Sequence, residues 1–405
     1  MIQVQCLMYH RSSSMRGRDL SPSSRAALLA LAGTLALFFW QFLTVHYNYH
    51  DNWTALFCIR PSAVPDFLKS EDLFLFEKGG GYDGMAYHLI AHDPFMRKGA
   101  ADAMSDAPFR YQRILVPLLA WLAAFGQDRW IHSAYFAVIL AFAYLGVFWL
   151  SLLIAHMGRS SAWGLLFLLT PATITSIDRM TVDIALAALT AGFALYVRDS
   201  PDWRILLLLV CAALTRETGA TIIVGYAVYL LARKNFRGAS LVASTALPAA
   251  IWFWFLSRRT PSVLPHFVNW VPLGSFFRRA FHPRPYGALP PLERTAAHVL
   301  DLVGFAGVAL ALLYVARLLA RRTWDARTAA IYALALTTIF LGSAGVWFDA
   351  YAYGRVLTPF LLLTATASLG ISPLAAFLPM ILIDARLGLY FVKQISGVFH
   401  GLTGQ

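Results

Sequence analysis

The acids and arginines of this chain stand out because almost everything around them is apolar. The densest group runs from Gly79 to Pro117. It opens as Gly79-Gly80-Gly81-Tyr82-Asp83-Gly84-Met85-Ala86-Tyr87-His88. It returns to charge at Arg110-Tyr111-Gln112-Arg113, just before the apolar Ile114-Leu115-Val116-Pro117. Asp83 follows a glycine run and begins a helical pattern, so it falls in a first helical turn. Free backbone N–H groups and the helix dipole favour an anion there. An ionised carboxylate so placed can take a proton from a hydroxyl as that oxygen attacks an electrophile. Tyr87, four residues on, shares its face, and Tyr82 and His88 flank the pair. On chemistry alone, a plain helix cap is the simpler reading of Asp83.

Arg110, Tyr111 and Arg113 form the second group. Guanidinium groups bind phosphate through paired hydrogen bonds; the alternative is a pair that snorkels to lipid headgroups. The third is Ser176-Ile177-Asp178-Arg179-Met180-Thr181-Val182-Asp183. Arg179 and Asp183 are four apart, which pairs them on one helix face, as a structural ion pair or a substrate contact. Asp178 reads as a turn or cap residue. In Leu214-Thr215-Arg216-Glu217-Thr218-Gly219, a charged pair sits between two apolar runs, so Glu217 can aim Arg216 at a phosphate or serve a helix turn only. The run from Trp347 to Arg355 carries Asp349, Tyr353 and Arg355 among aromatics, which suit sugar faces and also form ordinary interface belts. His88, His92 and Asp93 lie close in sequence, but their spacing alone does not make a metal site. Cys6, Cys58 and Cys211 are far apart and give neither a metal motif nor a disulfide framework.

The elements that must position these residues are membrane helices. The chain has 405 residues, 59% hydrophobic and 13% charged, with mean hydropathy +0.60. Soluble domains carry about 25% charge. Apolar runs long enough to cross a bilayer recur along the whole length, so the expected fold is an all-α polytopic membrane protein. The net charge of +12 fits Lys and Arg gathered beside lipid phosphates. No basic stripe interleaved with aromatics lies on a soluble module, so nucleic acid is not an expected partner.

Residues 1–25 read as a cytoplasmic tail and 26–405 as one membrane domain. Ala26–Val45 is the first span, a retained signal anchor. Residues 46–113 then form a long first extracytoplasmic loop with interfacial helical pieces at Asp66–Glu77 and Asp83–His92. Ile114–Phe125 is too short to span. Further crossings follow at 131–155, 161–177, 180–197, 203–216, 219–232, 238–256, 297–319, 328–346, 356–370 and 374–391. These make about eleven in all. With Arg159, Arg198, Arg233 and Arg317 on one side, the charged clusters converge on the other, together with a second extracytoplasmic loop at 258–293 that holds seven prolines.

The run Tyr82-Asp83-Gly84, Tyr87, Ile90-Ala91, followed about 20 residues later by Arg110-Tyr111-Gln112-Arg113 through Pro117, resembles the first-loop signature of GT-C membrane glycosyltransferases. It is most similar to the mannosyltransferase-like branches and to a bacterial group linked to cell-surface glycopolymer formation. That resemblance implies a GT-C-like bundle in a bacterial inner membrane with its site on the periplasmic side. It implies a polyprenyl-phosphate-linked sugar as donor, a glycan or lipid as acceptor, and membrane lipids as surroundings. Asp83 would be the general base of an inverting transfer, with Asp51 as the alternative nearer the first span. The substrate-binding residues would be Tyr82, Tyr87, His88, Arg110, Tyr111, Arg113, Arg179, Asp183, Arg216, Glu217, Tyr353 and Arg355. No cofactor is expected; Asp83 has no second acid beside it in sequence, so a divalent metal in the reaction stays an open alternative without support from the residues. The competing readings are a transporter or flippase for a lipid-linked glycan, and a non-catalytic subunit for its export.

Overall fold

The computed structural model describes residues 20–404, apart from Gly80, Ser105, 261–267, Ala288 and Ser343. Most of the expected cytoplasmic tail, residues 1–19, thus lies outside the described residues, as does part of the expected second loop. The described residues are all-α, with one isolated β-bridge between Val268 and Leu341. In chain order the helices begin with α1 (Pro22–Tyr49), α2 (Asp83–His92), α3 (Ala107–Tyr111), α4 (Leu115–Ala123) and α5 (Asp128–His156). They continue with α6 (Pro171–Arg179), α7 (Asp183–Tyr196), α8 (Trp203–Thr215), α9 (Glu217–Ala232), α10 (Phe236–Ser244) and α11 (Leu247–Ser257). The last six are α12 (Gly274–Phe281), α13 (Pro291–Ala320), α14 (Ala326–Ile339), α15 (Ala344–Phe348), α16 (Ala350–Ser368) and α17 (Pro373–Thr403).

Five stretches of the described residues are long and apolar enough to cross a bilayer: α1, α5, the near-continuous α10–α11, α13 and α17. At about 1.5 Å of rise per residue, even the shortest, of 22 residues, spans about the 30 Å hydrocarbon thickness. Four shorter apolar helices, α7, α8, α9 and α14, join them. The chain is therefore a multi-pass integral membrane protein.

Three of the about eleven expected spans take another form. The 328–346 run is interrupted, because α14 ends at Ile339 and Leu341 bridges to Val268 before α15 begins. The 161–177 run breaks, because Thr170 caps a new helix whose first residue is Pro171. Before the break, Ser161–Leu169 is a 3₁₀ segment. A proline lacks the N–H that would continue the preceding turn. The 356–370 run is part of α16, which is buried along nearly its whole length, carries Arg355, and packs on α6, α7, α14 and α17. It is a central helix rather than a lipid-facing one.

Without a hydrophobic drive between helices in lipid, association depends on close packing. Gly225 on α9 lets the backbone of α14 approach so closely that a Cβ there would sit 2.6 Å from the Cα of Ala330.

Between α1 and α5 the chain folds into short elements rather than long ones. The expected helix over Asp83–His92 coincides with α2, and Ile114–Phe125 holds only the nine-residue α4. The expected helix over Asp66–Glu77 does not form. Only Asp66–Leu68 makes a 3₁₀ turn, after which backbone bonds from Phe76 N to Ile59 O and from Gly81 N to Cys58 O fasten the strand-like remainder. All ten residues of α2, which follows, are buried.

The downstream segment that includes α12 is pinned by one acid. Asp301 on α13 accepts from Arg279 at 3.0 Å, Arg386 at 2.7 Å and the Tyr286 hydroxyl at 2.7 Å.

Candidate functional site

Helix α2 begins at Asp83, and its N-cap is Tyr82, with no side-chain capping bond. The Asp83 carboxylate is thus not used as a cap. It forms ion pairs with Arg110 and Arg355, and a third guanidinium, Arg113, lies 3.9 Å away. Gly84 explains the small residue that follows: a Cβ there would collide with the carbonyl oxygen of Arg179. That carbonyl ends α6, so α2 starts where it does because its second residue has no side chain. Gly84→Ala should therefore force α2 off α6 at a cost of about 1–3 kcal/mol, a typical price of overpacking. A thermal melt in detergent indistinguishable from wild type would contradict this contact.

The arginines come from four other places in the fold. Arg110 lies in the last turn of α3 and also bonds Asp106 at 2.7 Å, one turn back. Arg113, between α3 and α4, holds both oxygens of Glu217 at 2.8 and 3.1 Å, donates to the Tyr87 hydroxyl at 2.9 Å, and lies 4.1 Å over the Phe109 ring. Arg216 caps the end of α8, where the backbone is extended before Glu217 opens α9. It pairs with Asp183, the first residue of α7, and lies 3.4 Å from Glu217. Arg355 on α16 bonds Asp183 at 3.2 Å and stacks 5.0 Å over the ring of Tyr82.

These contacts close on themselves. Asp83, Arg113, Glu217, Arg216, Asp183 and Arg355 make a ring in which acid and base alternate, and Arg110 adds a fourth guanidinium at Asp83. Buried charges are stable only when paired and hydrogen-bonded, and here each has at least two partners. Burial alone would raise the Asp83 carboxyl, but the guanidinium groups of Arg355, Arg110 and Arg113 outweigh it and hold it well below the usual carboxylate range. Burial, only partly offset by Arg355, pushes the Tyr82 phenol well up, so it stays neutral.

The ring opens onto a cavity of about 290 Å³, whose walls include Tyr82, Asp83, Phe109, Arg110, Arg113, Arg216, Asp349 and Arg355. A second, largely apolar groove of about 590 Å³ adjoins it, lined by Thr221, Leu336, Phe340 and Leu341 among others. The two share Arg216, Val346 and Val356. A charged chamber thus meets an apolar channel at a guanidinium.

Of the residues singled out in the sequence, Asp83, Tyr82, Arg110, Arg113, Arg216 and Arg355 line the cavity, while Tyr87, Asp183 and Glu217 support those arginines. Four others do not belong to it. Tyr111 is buried and donates to the carbonyl of Asp93 at 2.9 Å. Tyr353 is buried and stacks on Trp347. His88 packs instead against His92 and His132. Arg179 does not pair with Asp183. Met180 adopts a left-handed conformation that ends α6, so the two residues lie on different helices. Arg179 instead bonds Asp178 at 2.8 Å and the sulfur of Cys58.

Asp178 is no turn residue either. Buried within α6, it accepts from Tyr351 at 2.6 Å and Gln394 at 2.5 Å. Asp51 is exposed and pairs with His46 at 2.8 Å. Asp83 is less isolated than its sequence neighbourhood implied, since Asp183 reaches the same Arg355. Phe109 and the shared Val346 and Val356 were not singled out, and an aromatic and two valines in an apolar chain carry no signal that could have marked them.

Compared with known proteins, the chain matches no family model, and no curated protein or solved structure matches it significantly.

Proposed function

We propose that this protein is an inverting membrane glycosyltransferase that moves a sugar from a polyprenyl-phosphate donor to an acceptor hydroxyl. We read its site as facing the periplasmic side of a bacterial inner membrane, where it would serve cell-surface glycan synthesis. The observation that carries this reading is the meeting of the Asp83 chamber and the apolar groove at Arg216. A polyprenyl chain suits the groove, its phosphate the guanidinium groups, and the sugar the chamber walled by Tyr82 and Phe109.

The charges support the same chemistry. Four guanidinium groups face three carboxylates in the ring network, with Asp106 outside it on Arg110. A lipid-phosphate sugar is a phosphodiester with one negative charge, and guanidinium binds such groups through paired hydrogen bonds. At rest, Asp83 is a weak base because its pairing holds it ionised. An arriving phosphate competes for the same guanidinium groups, so the carboxylate becomes a stronger base when the donor is in place. The acceptor oxygen then gives its proton to Asp83 and bonds to the anomeric carbon from the face opposite the phosphate. The bond from that carbon to the phosphate oxygen breaks, and polyprenyl phosphate leaves with a second negative charge. Asp83 loses one negative charge as the phosphate gains one, so the ring stabilises the leaving group without a net change in the chamber.

Thr221 lines the groove one turn along α9 from Glu217 and takes no part in the ring. Thr221→Trp should raise KM about tenfold for a long-chain donor, the equivalent of about 1.4 kcal/mol, and leave a donor with one or two isoprene units unaffected. An unchanged KM for both donors would contradict the assignment of the groove.

A further inference from the structure

We propose that His88, His92 and His132 form a binding site for a divalent transition metal of the zinc class, which clamps α2 to the start of α5. His88 and His92 are one turn apart on α2 and face the same way. His132 approaches from the second turn of α5. One ring nitrogen from each residue lies within 4.8 Å of the others. The ring centroids are 4.7, 4.9 and 5.4 Å apart. Three imidazoles bound to one ion at about 2.0–2.1 Å with tetrahedral angles would have centroids about 5 Å apart. Asp93, which the sequence placed beside these histidines, is not a member. Its carboxylate accepts the backbone N–H groups of Arg97, Lys98 and Ala100.

The hydrogen-bond inventory points the same way. Asp128 bonds the Nδ1 of His92 at 2.9 Å and is itself held by Lys98 at 2.8 Å. A carboxylate on one imidazole nitrogen fixes the tautomer and turns the other nitrogen's lone pair toward a metal. That other nitrogen, His92 Nε2, is buried without a partner among the described residues. The Nε2 atoms of His88 and His132 are 2.8 Å apart. They can share only one proton, and His88 Nδ1 is also buried without a partner. The unpaired His92 nitrogen is costly where it is buried, and an ion there satisfies it with a shift of about half an ångström between the two Nε2 atoms. His132 is the partly exposed member, and from its side a water can complete the coordination.

The site lies about 7–8 Å along α2 from Asp83, five residues at the helical rise. Its role is to position α2, and it stands whatever reaction occurs at Asp83. The test uses the full chain, purified without a polyhistidine tag from zinc-supplemented cells. Elemental analysis should find about one equivalent of zinc per chain. Protein stripped with a chelator and given Co²⁺ should show the intense visible bands of tetrahedral cobalt, and its melting temperature should recover. His132→Asn and His92→Gln should each lose at least about nine-tenths of the metal, while His46→Ala, outside the cluster, keeps it. Folded wild-type protein with no zinc and no cobalt bands would overturn the proposal. So would wild-type metal content in both cluster variants. If either variant fails to fold, the cobalt spectrum of the wild type decides.

Discussion

Asp183→Ala should cost the fold about 3–5 kcal/mol, the usual effect of removing one partner from a buried ion pair. The Asp183 side chain is 1% exposed and holds both Arg216 and Arg355. Without it, among the described residues, the one carboxylate left to Arg216 is Glu217, at 3.4 Å, and the one left to Arg355 is Asp83. Two guanidinium groups are then left short of acceptors where water is scarce. The variant should give little folded protein and a clearly lowered melting temperature in detergent. Asp183→Asn, which retains an acceptor oxygen, should fall between alanine and wild type. A melting temperature for Asp183→Ala within about 1–2 °C of wild type would show that the ring contributes nothing to stability.

Asp83→Asn should have the opposite profile, an intact fold without turnover. Each of its arginines has a second carboxylate: Asp106 for Arg110, Glu217 for Arg113 and Asp183 for Arg355. Each guanidinium keeps that second carboxylate and the amide oxygen of the asparagine, so the protein should still express and fold, with a melting temperature no lower than that of Asp183→Asn. Asparagine cannot take a proton from an attacking hydroxyl. Loss of a general base lowers rates by about 10²–10⁴, and transfer should fall by that factor. Binding of the lipid-phosphate donor should persist or tighten, because one competing anion is gone. The split between lost turnover and retained donor affinity, read from kcat against donor Kd, separates a base from a structural acid.

Much of this site was legible because charge is conspicuous in an apolar chain. A charge near a helix centre costs about 2.5–3.5 kcal/mol in lipid, so Arg110, Arg113, Arg216, Glu217 and Arg355 could be picked out without knowing what they touched. The start of α2 was legible from the glycine run and the acid after it. What failed were inferences from spacing across a break. Arg179 and Asp183 fit one helix face by count, but Met180 takes a left-handed conformation between them. Tyr111 and Tyr353 were selected as aromatics near charges, and packing used both as framework. His88 was assigned to the side of Asp83, yet five residues of helix turn it roughly 140° away. His132 could not be brought to it by sequence at all, since 44 residues separate them. The break at Thr170-Pro171 was readable from the proline, and the length of the apolar run concealed it.

The central claim is that a carboxylate on a ring of arginines receives a proton while a lipid phosphate departs. Its most direct test is the fate of a polyprenyl-phosphate sugar, labelled in both parts, when wild-type protein is reconstituted in sealed vesicles with an acceptor. One polyprenyl phosphate should be released for each sugar transferred, with the anomeric configuration inverted in the product. A donor that stays intact, whether carried across the bilayer or left where it was, would contradict the claim.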